Sequence, residues 1–451
     1  MQIGNKEIGM NTDTAEQHEI KSLLVISFFD FQAQHGRIHH LIDYLKERIP
    51  RVTVLHRINR LSPGIGRKLK TLFLLSTEQY HIENVTYFAC DPFLNIPERI
   101  TEDYYVVRDE NFTVRNRIMI RLQNLFNIIT LPKEYILIFS FFMSFLINIR
   151  KRFDLCIVQS PWEAAVAYLL HRFGFIGTLV YDDMDYAPGH IPSKLRRRYQ
   201  QWEENLYIKR ADAVFSVGYL LGERRRKETG RKIIVIPNGV DHPLFRQAQE
   251  KKAHPPTLVY VGRLSADWGG IDVILRAVKK LVGEIPDLLF IMIGGGFPHF
   301  IKQIEKEVRE LEISRNIKIV GKVSYAEIPE YLRSCDIGLA CFKPNLIRTY
   351  CFPLKVVEYM AAGLAVLGTK ETETEALIER CECGVSVHFD ADMIFQAVRK
   401  IFTEESLLQR FQTNAVHHSK QFDWDVLLDK EYRIIRDMHQ KKPGPQRPGV
   451  Q

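Results

Sequence analysis

The sequence is poor in cysteine, and its cysteines form no metal-binding or disulfide pattern. There are seven in 451 residues, an odd number, with no Cys-x-x-Cys pair. This favours neither a disulfide framework nor a zinc site. Cys381 and Cys383 bracket one residue and are interpreted as ordinary buried or loop thiols. We therefore expect a reducing compartment. We also predict that no cofactor is required.

The sequence also lacks a long apolar run. Its first residues, MQIGNKEIGMNTDTAEQHEIK, have no apolar core of the kind that signal peptides carry. The most apolar stretch, residues 135–149, is shorter than the roughly 20 residues that a membrane-spanning helix needs. We expect a cytoplasmic protein, with attachment to the inner face of the cell membrane as an alternative.

The net charge is +8, and most of the excess lies in the first half. Residues 196–198 and 224–227 form basic runs, and Arg115, Arg117 and Arg121 precede the apolar stretch. Two interpretations stay open: a solvated basic face with a core helix, or a peripheral contact with an anionic membrane. Nucleic acid is disfavoured, since no known nucleic-acid-binding motif accompanies the charge.

Short apolar runs alternate with helical patterns along the chain, which is typical of parallel sheets covered by helices on both faces. The series restarts after PNGVDHPLFRQAQEKKAHPP, a connector rich in proline and charge. We predict two Rossmann-like domains, 1–245 and 246–420, and assign no fold to about 61–117. The predicted strands are 23–28, 52–55, 155–159, 179–181, 213–217, 233–236, 258–261, 289–293, 317–320, 337–340, 365–367 and 385–387.

The second half contains two strand-loop-helix runs with features of a nucleotide site. In LVYVGRL, Gly262 and Arg263 follow a buried strand and precede a helix, whose free N–H groups suit a diphosphate. In FPLKVVEYMAAG, Lys355 falls in the first helical turn and Glu358 about one turn deeper, where a carboxylate can accept both ribose hydroxyls. The alternatives are a loop salt bridge for Arg263 and a surface pair for Lys355 and Glu358.

The first half offers weaker signals. The loop before the first helix contains Gly36 but no G-x-G-x-x-G, which disfavours a dinucleotide site. Asp182, Asp183 and Asp185 follow a predicted strand, and three carboxylates so close need a cation, a hydrogen bond or a polar ligand. Metal binding, acceptor contact and loop capping stay open, whereas Glu163 is interpreted as a helix cap.

Six short motifs occur in an order that closely resembles the retaining glycosyltransferases of family 4, which have the GT-B architecture. These are NGVD, YVGRL, IGGG, GKV, FPLKVVEYMAAG and QFDW. The resemblance implies two Rossmann-like domains facing across a cleft, with a helix at about 421–440 crossing back to the first. It implies a donor site of Gly262, Arg263, Gly294, Gly295, Gly321, Lys322, Val323, Leu354, Lys355 and Glu358.

The resemblance also implies roles for individual residues. Arg263 would bind the donor diphosphate and Glu358 the ribose, while the backbone of residues 321–323 would contact the base. The predicted catalytic residues are Arg263, Lys355, Glu358, Asp183 and Asp185. His35, Gly36 and Asp182 are expected at the acceptor side of the cleft.

Two positions depart from the family pattern. Members usually place a lysine five residues after the arginine, where this chain has Trp268, and often a glutamate eight residues before the ribose-binding one, where it has Tyr350. Many members with the PLK form of this helix lack that glutamate too. We therefore hypothesise that Lys355 supplies the missing positive charge.

The expected activity is transfer of a sugar, with retention, from a nucleotide-diphosphate sugar to a glycan or polyprenyl-linked saccharide in cell-surface polysaccharide synthesis. A UDP-sugar is favoured as co-substrate, then a GDP-sugar, and no metal is expected. A nucleotide-sugar epimerase and a noncatalytic scaffold protein are the alternatives. The sequence does not indicate an oligomeric state.

Overall fold

The computed structural model describes residues 19–30, 36–57, 76–91, 133–191, 194–250, 253–264 and 270–441. In the first domain it shows one sheet with the order β3-β4-β2-β1-β5-β6-β7-β8, parallel throughout except between β3 and β4. The strands are β1 Ser22–Asp30, β2 Arg51–Arg57, β3 Ser76–Ile82, β4 Val85–Asp91, β5 Phe153–Val158, β6 Ile176–Asp183, β7 Ala213–Ser216 and β8 Ile234–Val235.

Helices cover both faces of this sheet, and each face has its own apolar core. The strands are buried on both sides and therefore read as continuous apolar runs, such as FDLCIV in β5. The helices are α1 Arg37–Lys46, α2 Lys133–Ser144, α3 Pro161–Arg172, α4 Lys194–Arg210, α5 Tyr219–Thr229 and α6 His242–Arg246.

The hairpin of β3 and β4 lies in the segment to which the sequence assigns no fold. β4 adds to the sheet in parallel beside β2, and β3 then pairs antiparallel with β4 at the sheet edge. β3 has the sequence STEQYHI, which carries little apolar patterning because an edge strand is open to water on one side. The rest of residues 61–117 lies outside the described ranges.

The apolar stretch 135–149 forms most of α2 and the π-helical turn Phe145–Ile149 that follows it. Phe141 and Phe145 are fully buried in the core, as the core-helix interpretation expects. The other side of this segment is exposed to solvent, since Phe139 is 57% exposed and Ile147 is 64% exposed. Among the residues that the structure describes, no helix has the length and apolar character needed to cross a bilayer.

The second domain contains a parallel sheet with the order β11-β10-β9-β12-β13-β14. Its strands are β9 Thr257–Val261, β10 Leu289–Ile293, β11 Ile317–Gly321, β12 Ile337–Ala340, β13 Ala365–Thr369 and β14 Gly384–Val387. Its helices are α7 Ile271–Glu284, α8 Pro298–Glu310, α9 Ile328–Leu332, α10 Leu346–Tyr350, α11 Leu354–Ala361, α12 Glu373–Cys381, α13 Ala391–Thr403 and α14 Glu405–Ser419.

The chain then returns to the first domain as α15, Trp424–Gln440. Val240 and Asp423 form an isolated parallel bridge where the chain crosses for the second time. Leu427, Leu428 and Ile435 join the core around β1, β2 and α1. The predicted architecture of two doubly wound domains with a helix crossing back is confirmed, and each predicted strand overlaps an observed one.

Candidate functional site

Three glycine-containing loops meet at the carboxyl edge of the second sheet. The Gly262 N–H donates to the carbonyl of Ile293 at 2.8 Å, and the Gly294 N–H donates to the carbonyl of Gly321 at 2.8 Å. Gly294 has a φ of +146°, and a Cβ built on it would lie 1.8 Å from the Gly262 carbonyl oxygen. This close approach requires glycine, which explains part of the IGGG motif.

Arg263 extends from this edge. Its side chain is exposed, and its guanidinium lies 4.8 Å from the ring centroid of Phe297. The Tyr260 hydroxyl donates to the Arg263 carbonyl at 3.1 Å, and the Leu264 N–H donates to the Gly295 carbonyl at 3.0 Å. The backbone on both sides of the arginine is therefore fixed while its charge faces solvent.

The first turn of α11 lies directly against the loop that carries Arg263. The Lys355 ammonium is 4.2 Å from the Tyr260 ring centroid, and a Cβ built on Gly262 would lie 3.0 Å from Lys355 Nζ. One turn further along, the Tyr359 hydroxyl accepts the Val261 N–H at 2.8 Å. The structure thus brings together the two sequence runs that were expected to bind the donor. We call Gly262, Arg263, Gly294, Gly321, Lys355 and Glu358 the donor site.

Burial shifts the pKa values of Lys355 and Glu358, the two ionisable site residues on α11. It lowers the pKa of Lys355 to about 7, with a further lowering by the nearby Arg348 charge and an opposing effect from Glu358. Burial likewise raises the pKa of Glu358 to about 7, opposed by Lys355 and by a hydrogen bond from Tyr325. Such shifted values at a shared site are typical of functional residues. An anion at Lys355 would favour its charged form.

Tyr325 is a site residue that the sequence reasoning missed. Its hydroxyl donates to the Glu358 carboxylate and accepts the backbone N–H of Asp241 in the connector. Its ring packs 5.3 Å from that of Phe245. Tyr325 therefore links the predicted ribose ligand to the crossing between the domains. Its position two residues after Val323, in the GKVSY run, is the signal that could have identified it.

The other predicted donor residues lie around these groups. Lys322 is next to Gly295, since a Cβ built on that glycine would lie 3.5 Å from Lys322 Cβ. The Val323 side chain packs against the apolar core of the second domain, so the residue could contact a ligand through its backbone. Leu354 is 45% exposed at the start of α11.

Asp182, predicted at the acceptor side of the cleft, is buried in the structure. Its buried carboxylate accepts Arg37 Nε at 3.0 Å and Gln159 Nε2 at 2.8 Å. Arg37 also contacts the buried Glu431 of α15 and donates to the Pro237 carbonyl at 2.9 Å. The aspartate therefore joins the first helix, the sheet and the returning helix.

Asp183, predicted as a catalytic residue, is likewise buried. It accepts Arg225 Nε at 2.8 Å, and the same guanidinium pairs with Glu204 at 2.7 Å. Burial raises the pKa of Asp183, although Arg225 opposes this. Asp185 is half-buried and accepts the Tyr186 N–H at 2.8 Å. Of the three aspartates, Asp185 is the one with surface to offer a ligand.

The remaining first-half predictions have mixed placements. Gly36 precedes α1 in extended conformation, and its N–H donates to His39 Nδ1 at 3.1 Å. His35 and Trp268 lie outside the described residues. Glu163 forms a capping box with Ser160 at the start of α3, as expected.

The family position occupied by Tyr350 lies at the contact between the domains. Its hydroxyl accepts Arg224 Nη1 at 2.9 Å, and its ring lies 5.2 Å from that of Tyr186. Nearby, Glu373 of α12 accepts the N–H groups of Tyr219 and Leu220 at the start of α5. Where the family often has a carboxylate, this chain therefore has an interdomain contact.

The described residues contain no group of three or more histidine, cysteine, aspartate or glutamate side chains placed to hold a metal ion. The described cysteines are all free thiols, and Cys381 and Cys383 are buried.

Two facing Rossmann-like domains, a returning helix and a basic, glycine-lined edge in the second domain define the GT-B class of glycosyltransferase fold. Residues 241–418 match the family described as "Glycosyl transferases group 1". The predicted resemblance to GT-B glycosyltransferases is therefore confirmed, and membership of family 4 is consistent with the match.

Relatives support this assignment. The chain is 28% identical over 211 residues to a phosphatidyl-myo-inositol mannosyltransferase of Mycolicibacterium smegmatis, covering 46% of this chain and 52% of that protein. It is 29% identical over 213 residues to the putative teichuronic acid biosynthesis glycosyltransferase TuaH of Bacillus subtilis, covering 44% and 52%. The matched region thus spans about half the length of these curated relatives.

Among solved structures, HepE of Anabaena in complex with UDP is similar in fold. The TM-score is 0.59 at 15% identity, and the match covers 92% of this chain and all (100%) of that chain. At this identity the likeness shows the fold and leaves the substrate open.

Proposed function

We propose that this protein is a retaining glycosyltransferase. It transfers a hexosyl-type sugar from a nucleotide-diphosphate sugar, with UDP favoured over GDP, to a glycan or lipid-linked saccharide. The context would be synthesis of a cell-surface polysaccharide. The observation that carries the proposal is the contact of Lys355 with the turn of Gly262 and Arg263, one helical turn from Glu358.

The chemistry follows from this juxtaposition. As the bond to the sugar breaks, negative charge builds on the departing diphosphate, and cations already in place stabilise it without rearranging. Arg263 and Lys355 provide those cations. Glu358 holds the ribose, so that the diphosphate lies between the Arg263 and Lys355 side chains. Positioning then supplies much of the remaining rate enhancement. Attack from the face that the leaving group vacates would retain the anomeric configuration.

The relatives support the donor and acceptor classes. UDP occupies the HepE structure named above, which fits a nucleotide-sugar donor here. One curated relative is named as a phosphatidyl-myo-inositol mannosyltransferase, and the other as a putative teichuronic acid biosynthesis glycosyltransferase. Both names fit an acceptor at the cell surface.

The decisive experiment incubates the full chain with UDP-, GDP- and ADP-sugars, with and without saccharide acceptors. We expect release of one nucleoside diphosphate and formation of a glycosidic bond. Arg263→Ala is expected to lower turnover by at least about 100-fold, as removal of one charge-stabilising group does elsewhere. Arg315→Ala is the matched control, since Arg315 is exposed outside the donor site.

The outcomes separate the candidate functions. Nucleotide binding without hydrolysis or transfer would replace the proposal with a noncatalytic scaffold. Conversion of the donor sugar into its epimer would replace it with an epimerase. Turnover by Arg263→Ala equal to that by the control would show that the assigned site is wrong.

We further propose that the first domain approaches an anionic membrane that carries the acceptor. Support comes from a surface of α2 and α4 on which Phe139 and Trp202 are 57% exposed, beside the basic residues 196–198. The hydroxyls of Tyr135 and Tyr199 join the two helices. Exposed aromatic and basic residues together suit the interface of an anionic bilayer.

Flotation with vesicles containing anionic lipid tests this partner. The double change Phe139→Ser and Trp202→Ser should reduce the bound fraction several-fold, whereas Val426→Ser, a change at an exposed site on α15, should not. Equal binding of the two variants, or no binding of the unaltered chain at low salt, would refute the membrane proposal without affecting the donor site.

A further inference from the structure

We propose that Arg348 is a third cation of the donor site and binds the diphosphate of the nucleotide together with Arg263 and Lys355. The proposal rests on the proposed function, since it assigns a further ligand to the same substrate. Neither the motifs nor the family pattern described above pointed to this residue. Arg348 lies in α10, between the end of β12 and the start of α11.

The first support is a shared aromatic ring. The Arg348 guanidinium lies 4.7 Å from the ring centroid of Phe342, and the Lys355 ammonium lies 4.6 Å from the same centroid. Phe342 is buried, and its N–H donates to Thr369 Oγ1 at 2.9 Å, so the ring is a fixed platform. Both cations therefore contact the same buried side chain.

The second support is the backbone of α10, which is held at both ends. The Asn345 side chain caps the helix by accepting the Arg348 N–H at 2.9 Å. At the other end, Tyr350 contacts Arg224 and Tyr186 of the first domain. Arg348 is thus half-buried on an anchored helix rather than on a loose loop.

The third support is electrostatic. Burial is the largest cause of the lowered pKa of Lys355, and the charge of Arg348 is the second. Burial also raises the pKa of Tyr260, and the charge of Arg348 opposes that rise. Arg348 is therefore close to the groups that flank Gly262. Two cations held this near each other repel, and that repulsion is relieved when an anion with more than one negative charge binds between them.

This arrangement also explains how the chain manages without a family lysine. The usual lysine position, five residues after Arg263, is Trp268. The loop after β9 then contributes one cation instead of two, and α10 and α11 contribute Arg348 and Lys355. A site with three cations can still stabilise a departing diphosphate, but two of them come from the segment between β12 and β13.

The test compares the affinities of UDP and UMP for the full chain by calorimetry. GDP and GMP replace them if the unaltered protein prefers guanine. Arg348→Gln should weaken binding of the diphosphate by about 10- to 100-fold, the loss expected for a charged hydrogen bond. Binding of the monophosphate should change much less, since base and ribose contacts remain. Arg399→Gln, an exposed change in α13, is the matched control.

A conservative variant guards against a trivial loss of structure. Arg348→Lys keeps the charge and should recover most of the diphosphate affinity. Equal weakening of UDP and UMP by Arg348→Gln, or no weakening of either, would overturn the assignment while the proposed function stands. If the unaltered chain binds no nucleoside diphosphate at millimolar concentration, the proposed function fails and this inference fails with it.

The pH dependence gives an independent readout. The charged and titratable groups around Lys355 are Arg348, Glu358, Cys341, Cys351 and Tyr260. Removing the Arg348 charge should move the loss of donor affinity at alkaline pH to a higher pH, because Lys355 then holds its proton more tightly. An unchanged pH would contradict the placement of the Arg348 charge beside Lys355, on which the assignment rests.

Discussion

Replacing Lys355 with arginine is expected to remove the alkaline part of the pH dependence of donor binding. In the unliganded protein, burial and Arg348 lower the pKa of Lys355 to about 7. The protonated form binds the diphosphate, so donor binding raises this pKa and takes up a proton. Donor affinity is therefore greatest below the unliganded pKa and falls as the pH rises above it. Arginine stays charged throughout this range.

The magnitude follows from proton linkage. With a pKa of about 7, half of Lys355 is already deprotonated at pH 7. The apparent KM for the donor should therefore rise about 5-fold between pH 7 and pH 8 and about 50-fold by pH 9, and each tenfold change corresponds to about 1.4 kcal/mol. Glu358 has the opposite sign. Burial raises its pKa to about 7, so its carboxylate is lost, and the KM rises, as the pH falls below that value.

The assay is the donor KM measured from pH 5.5 to pH 9 for the unaltered protein and for Lys355→Arg. We expect a minimum near pH 7 in the unaltered protein, and in the variant a rise on the acid side alone. Lys318→Arg is the control, since Lys318 of β11 contacts the ring of Tyr331 and is not part of the donor site. An alkaline rise of the same size in Lys355→Arg would refute the assignment of this limb to Lys355.

Two further predictions concern stability and the glycine edge. Arg37→Met should destabilise the fold by about 3–5 kcal/mol, because it leaves Asp182 and Glu431 buried without their cation; thermal or denaturant unfolding measures this. Gly294→Ala should abolish donor binding or folding, because the new Cβ would lie 1.8 Å from the Gly262 carbonyl oxygen; nucleotide affinity and melting temperature report on it.

Each of these predictions has a matched control. Arg433→Met removes an exposed ion pair with Asp429 and should cost less than about 1 kcal/mol. If Arg37→Met lowered the free energy of unfolding by no more than Arg433→Met does, the buried ion pairs of Arg37 with Asp182 and Glu431 would be contradicted. Gly36→Ala should leave stability nearly unchanged, since a Cβ there meets nothing within 4 Å. A Gly294→Ala protein with normal nucleotide affinity would contradict the close packing of the loops.

The sequence predicted the second domain well because its signals are local. β9 and β10 are continuous apolar runs that are each followed directly by a glycine, and α11 begins after Pro353 and stops before Gly363. Parallel strands place their carboxyl ends at one edge, so Arg263 and Lys355 could be expected near each other without knowing a single distance.

The ion-pair partners of the aspartates in the first domain could not be predicted, because these partners are distant in sequence. Asp182 pairs with Arg37, 145 residues away, and Asp183 pairs with Arg225, 42 residues away. No local pattern indicates which guanidinium a buried carboxylate will meet. Arg348 and Tyr325 were missed for a related reason. The fold places Arg348 against the ring of Phe342 and Tyr325 against the carboxylate of Glu358, and no local sequence pattern indicates either contact.

The pairing of Val240 with Asp423 has a mechanical consequence. Both crossings between the domains run side by side, joined by the Val240 N–H to the Phe422 carbonyl at 2.8 Å. Two strands fixed together resist twisting more than a single linker does, so relative motion should be a swing about one axis. The contacts of Tyr350 and Glu373 also join the two domains, so a swing that opens the cleft between the domains has to break these contacts.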